Sequence, residues 1–127
     1  MRKIVTIASI SGILCIAFGA FGAHALKPLL SLEMRATFET GVRYQFYHTL
    51  ALLLVAVFYQ ISKNRNLLIT SNFFYVGIVL FSGSLYLLAL SSIVGETATW
   101  IGFITPFGGI SFIIGWIYLL KSAKNLE

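Results

Sequence analysis

Four stretches of the chain, at about 4–24, 42–62, 67–91 and 100–120, are long, strongly apolar and nearly free of charge. Each is long enough to cross the roughly 30 Å hydrocarbon core of a bilayer as a helix, which takes about 20 residues. In lipid the backbone must satisfy its own hydrogen bonds, so such stretches become helices rather than open strands. Composition agrees: 58% of the 127 residues are apolar, 10% are charged and the mean hydropathy is +0.91. A soluble domain carries about 25% charged residues. This chain has too little polar surface to cover a water-exposed globule, and its length suits a single domain, 1–127.

The sequence therefore predicts an all-α fold: an integral-membrane, antiparallel four-helix transmembrane bundle. A short amphipathic interfacial helix is expected at about 29–39, between spans 1 and 2, because Leu30, Met34 and Phe38 recur at four-residue spacing opposite Glu33, Arg35 and Glu39. Ser31 is its expected N-cap. Glu39 and Arg43 have the spacing of a helical ion pair, at a depth from which the arginine can snorkel to the headgroups. The opening Met1-Arg2-Lys3 and the Ala23-His24-Ala25 triplet resemble a signal peptide. The apolar run between them exceeds the roughly 7–15 residues of a signal core, however, so it is read as a retained span.

Small residues mark faces where helices approach closely. Ser11, Cys15 and Gly19 recur every four residues in span 1, and Thr70, Gly77, Ser84 and Ser91 recur every seven in span 3. Cys15 is the only cysteine. It forms no intrachain disulfide or CxxC site, Leu14 before it is too large for a lipidation signal, and it reads as a small packing residue. In span 4, Pro106 lies inside the expected helix and predicts a kink, with Trp100, Trp116 and Tyr118 near the span ends as interfacial anchors.

The net charge of +5 comes from nine Lys/Arg scattered between the spans, without the basic stripe that nucleic-acid binding requires. It is a topology signal instead. Arg2, Lys3, Lys63, Arg65, Lys121 and Lys124 fall on one side, and Lys27, Arg35 and Arg43 on the other. The positive-inside rule then places both termini in the cytoplasm.

That orientation gathers His24, Tyr44, His48, Ser84, Tyr86 and Thr105 in the outer half of the membrane. Such groups serve either as hydrogen-bonding glue between helices or as a site for a small lipophilic or lipid-like ligand. Two histidines without HExxH or a neighbouring cysteine are a weak metal or haem signal, and no cofactor is expected. A proton-coupled carrier would need a carboxylate within the membrane, and all four acids lie in loops or at helix ends. Ser82 and Ser84 lack an adjacent acid and Asp is absent altogether, so no catalytic set can be assembled and the chain reads as a non-enzyme. The expected partners are the lipid bilayer and a second copy or another membrane protein.

The blocks Gly19-Ala20-Phe21-Gly22-Ala23-His24, Thr40-Gly41 through Tyr44, His48-Thr49-Leu50-Ala51, Phe81-Ser82-Gly83-Ser84-Leu85-Tyr86, and Thr105-Pro106-Phe107-Gly108-Gly109 with Gly115-Trp116 run through all four spans in order. Together they resemble the YgdD/YwdK-type small membrane proteins, a bacterial domain-of-unknown-function family with distant relatives among small eukaryotic transmembrane proteins. The resemblance implies a four-span protein of the bacterial plasma membrane without an established biochemical role. It carries over no catalytic or ligand-binding residues, but it places His24 and His48 within the family's motif blocks.

Overall fold

The computed structural model of the chain describes residues 1–124. Among them every regular element is helical: α1 (Arg2–Ala23), α2 (Leu32–Ser62), α3 (Arg65–Gly77), α4 (Gly83–Ser91) and α5 (Thr105–Ala123). A π-helical segment, Ile78–Ser82, joins α3 to α4 without a break, and 3₁₀ turns at Ser92–Val94 and Thr99–Phe103 lead into α5. Four helical stretches, Arg2–Ala23, Leu32–Ser62, Arg65–Val94 and Thr99–Ala123, are long and apolar enough to cross a membrane. Their outward faces carry large apolar side chains: Ile13, Ile16, Ile61, Phe103 and Leu120 are each more than two-thirds exposed. In water so much exposed apolar surface would drive association, whereas in lipid it is the solvent-facing surface.

The expected separate helix at 29–39 does not exist as an element. Leu29 and Leu30 lie in a turn, held by their N–H groups on the Leu26 carbonyl at 2.9 and 3.0 Å. Residues 32–39 are the first two turns of α2, which runs unbroken for 31 residues, about 46 Å at 1.5 Å per residue. Ser31 does cap it, accepting from the Met34 N–H at 3.2 Å. Gly41, between the bounds expected for that helix and for span 2, lies within the continuous helix. This glycine makes room for a neighbour rather than for a turn: a Cβ there would lie 2.8 Å from the Tyr86 ring. Thr37 and Thr40 return their hydroxyls to the carbonyls one turn back, at 3.0 and 2.9 Å, so neither competes with the helix. The expected Glu39–Arg43 pair forms no ion pair or hydrogen bond among the described residues.

Pro106 also behaves differently from expectation. It opens α5 at its first turn, where a missing N–H removes no helix bond. The chain before it is a 3₁₀ turn and not the first half of a kinked helix.

The packing is centred on α2. α1 packs principally against α2, while the other face of α2 meets α3, the π segment and α4, and α5 closes against α3 and the π segment. Along α1 and α2 the touching positions run in opposite directions, with Gly22 at Phe38, Gly19 at Val42, Cys15 at Val42 and Ser11 at Gln45 and Thr49. The same holds for the last two spans, with Ser84 at Thr105, Ser111 at Phe73 and Asn64 at Ser122. One core joins Ile4, Ala8, Leu52, Val55, Leu67, Phe74 and Phe112, and a second joins Leu26, Leu30, Phe38 and Ala89. Leu26 and Leu30, from the turn after α1, fold back to plug that second core.

Candidate functional site

The polar side chains of the bundle divide into separate groups, and α2 supplies a member of the two largest. Gln45 is buried on the face of α2 that looks between α1 and α4. Its carbonyl oxygen accepts from the Tyr86 hydroxyl at 2.6 Å. Its amide donates to the Ser11 hydroxyl at 3.2 Å and the Ser11 carbonyl at 3.1 Å. Ser11 and Thr49 share a 2.7 Å hydroxyl contact, and Thr49 donates to the Gln45 backbone carbonyl at 2.8 Å. Because the Thr49 proton is committed to that carbonyl, Ser11 is the donor in the shared contact. The donors thus run one way, from Tyr86 to Gln45 to Ser11 to Thr49 and back to the α2 backbone, a sense in which successive bonds polarise one another. Cys15, one turn along α1, is buried and directs its thiol at the Val42 carbonyl at 3.7 Å, in keeping with a packing role.

His48 lies on the next face of α2, toward α3 and α5. Its ring stacks on Phe112, 3.5 Å between centroids at 9°, and takes the edge of Phe74 at 5.1 Å. Nδ1 lies 2.8 Å from the Tyr44 carbonyl, and Nε2 accepts from the Trp116 indole N–H at 3.1 Å. A carbonyl can only accept and an indole can only donate, so these partners assign the neutral Nδ1–H tautomer. Trp116 is therefore a partner of His48, with its N–H directed into the bundle.

Smaller contacts join the remaining helices. Ser84 donates to the Phe81 carbonyl at 2.9 Å and meets Thr105 at 2.6 Å, Ser82 donates to the Gly41 carbonyl at 2.7 Å, and Ser111 donates to the Phe73 carbonyl at 2.7 Å. Buried polar side-chain atoms without a partner among the described residues are Arg35 Nε, Thr70 Oγ1 and Tyr75 Oη.

The six residues expected to form one cluster are thus distributed over four places. Tyr86 belongs to the Gln45 chain, Tyr44 and His48 to the aromatic box, and Ser84 and Thr105 to their own pair. His24 is exposed at the end of α1. It lies near the level of Phe38, and His48 is ten residues further along α2, about 15 Å along the axis. Ser11, Gln45, Thr49 and Trp116 complete the networks without having been candidates. Gln45 was visible as an amide within an apolar run, with Thr49 one turn after it. Nothing in the sequence singled out Trp116 from an ordinary interfacial tryptophan. Among the described residues no three His, Cys, Asp or Glu side chains stand together as a metal site.

Two cavities flank these networks. One of about 530 Å³ lies between Phe18 of α1, α4 and the turn before α5, with Ser84 and Tyr86 in an otherwise apolar wall that includes Leu87, Trp100 and Ile104. The other, of about 250 Å³, lies between the end of α1 and the first half of α2.

A family described as "Protein of unknown function (DUF423)" matches residues 18–109, from the end of α1 to the start of α5. The UPF0382 inner membrane protein YgdD of Escherichia coli (strain K12) is 42% identical, over 99% of this chain and 92% of its own. A UPF0382 membrane protein of Haemophilus influenzae is 41% identical, over 93% of this chain and 90% of its own. The UPF0382 membrane protein YwdK of Bacillus subtilis is 36% identical, over 97% of both chains. No solved structure matches the chain. Near-complete coverage at these identities, on top of a helical fold whose spans suit a bilayer, makes the chain a member of the DUF423 family, the UPF0382 membrane proteins.

Proposed function

We propose that this protein is a non-enzymatic, structural or accessory subunit of the bacterial plasma membrane, with both termini in the cytoplasm, that works by association with a second copy or another membrane protein. One observation carries the reading: the polar side chains of the two largest groups, around Gln45 and around His48, are engaged with one another. The Tyr86–Gln45–Ser11–Thr49 chain closes on a backbone carbonyl, and both nitrogens of His48 have partners. Groups already paired in this way hold helices together and leave little capacity to recognise a ligand. The relatives named as inner membrane proteins support the location, and the six-to-three count of basic residues supports the orientation.

A second reading, a binder or carrier of a small lipophilic molecule, is favoured by the 530 Å³ cavity with Ser84 and Tyr86 in its wall. That volume falls within the roughly 300–1,000 Å³ of small-molecule sites. Native mass spectrometry of the gently extracted wild type beside His48→Leu, His48→Asn and Leu87→Trp separates the two. The structural reading expects no stoichiometric adduct that Leu87→Trp removes, a less stable His48→Leu protein and a mild effect of His48→Asn. A stoichiometric adduct on the wild type that Leu87→Trp removes would replace it with the binding reading.

A further inference from the structure

The smaller cavity, between the end of α1 and the first half of α2, has a different chemistry from the rest of the bundle. Its floor is apolar, with Gly19, Phe38, Val42 and Phe46, and its rim carries Arg35, Glu39 and Arg43. Two features mark it as unfinished. Arg35 Nε is buried without a hydrogen-bond partner, which leaves a desolvated guanidinium donor unsatisfied. Glu39, one turn from each arginine, pairs with neither among the described residues, although its spacing would allow it. Two guanidiniums against one carboxylate leave one net positive charge facing the groove.

From this we infer that the groove is a binding site for an anionic phospholipid, whose phosphodiester is held by Arg35 and Arg43 and whose acyl chain leaves along Val42 and Phe46. The groove suits this occupant in charge, in size and in depth. A phosphodiester carries one negative charge, which neutralises the rim, and its oxygens match the planar donors of arginine. At about 250 Å³ the cavity is smaller than the roughly 300–1,000 Å³ of pockets that enclose a whole small molecule, so it holds one part of a ligand whose remainder lies outside. A lipid meets that condition, because the rest of it already lies in the bilayer. Finally, Arg43 opens the apolar run of span 2, which places it at headgroup depth, and the half-exposed Phe46 one turn below faces the acyl region.

The test is retention of lipid by the detergent-extracted protein in native mass spectrometry, with dioleoyl phosphatidylglycerol and dioleoyl phosphatidylcholine offered in equal amounts. The wild type is expected to retain one phosphatidylglycerol in preference. The R35Q/R43Q variant is expected to lose that preference by roughly thirtyfold, the scale of removing two basic contacts to a headgroup. Gly19→Leu leaves both arginines in place and extends a side chain into the floor, where an added Cβ already touches Val42 at 3.6 Å. It is expected to weaken phosphatidylglycerol retention as well. K63Q/R65Q, where α2 ends and α3 begins, is expected to have no effect. Equal retention of both lipids by the wild type, or an equal loss in K63Q/R65Q, would overturn the proposal in favour of unspecific surface charge. If inorganic phosphate at millimolar concentration displaces phosphatidylglycerol and Gly19→Leu retains it, the site is one for a soluble anion and the lipid assignment is overturned. Thermal unfolding of each variant without lipid verifies that the comparison is between folded proteins.

Discussion

Gln45 connects three helices through one amide, and this makes it the polar residue whose loss should be felt most widely. Gln45→Leu leaves the Tyr86 hydroxyl without its acceptor and the Ser11 hydroxyl without its amide donor. Interhelical hydrogen bonds within membranes contribute roughly 0.6–2 kcal/mol each. We expect a double-mutant cycle of Gln45→Leu with Tyr86→Phe to give a coupling of about 1 kcal/mol in detergent unfolding, and a value near zero would show that the 2.6 Å contact contributes nothing. His48 has a comparable role toward α5. Trp116→Phe removes the donor while keeping an aromatic ring, and it should destabilise by about 1 kcal/mol. Combining it with His48→Leu should add less than the sum, because the two residues share one bond. The residue types that lipid tolerates badly were legible in the sequence; their partners were not. Ser11 lies 34 positions from Gln45, and Trp116 lies 68 from His48.

At the level of elements, the last two spans are held by close backbone approach. A Cβ on Gly108 would collide with the backbone of Phe81 in the π segment, and one on Gly115 would come within 2.6 Å of the Phe74 ring. The π segment widens its helix at the place where α5 comes nearest, and Ser82 at its end reaches across to the Gly41 carbonyl. Gly108→Leu should therefore destabilise by at least about 1–3 kcal/mol, the usual penalty of overpacking, because backbone cannot yield as a side chain can. Gly83, by contrast, has no neighbour within 4 Å of an added Cβ, and Gly83→Ala should be neutral or slightly stabilising within a helix. Equal unfolding temperatures for Gly108→Leu and Gly83→Ala would contradict this account. Helix ends were harder to read from the sequence than helix existence. The boundary expected between 39 and 42 is continuous helix with Gly41 as a contact point, while Pro106 looks like a kink and is a helix start.

For the molecule as a whole, the proposed sidedness rests on the basic residues at the helix ends. Reporters that are active only in the cytoplasm, fused after residue 124 or before Met1, should both be active, and the same reporter inserted at Ser31 should be silent. Activity at Ser31 with silence at the ends would invert the orientation. What the sequence by itself determined was the class of object: four apolar stretches of bilayer length, with too few charges to face water, leave helices in lipid as the only way to satisfy the backbone. The Ser31 cap and the packing role of Cys15 were legible too, because each depends on residues close by or on size alone. Only the tertiary structure decided which polar groups meet. It resolved six candidates into a chain through Gln45, an aromatic box around His48, a hydroxyl pair and an isolated His24. The physical reason is that a helix sequence repeats every 3.6 residues and reveals faces, whereas the rotation of each face toward a neighbour is set by where glycines let backbones touch.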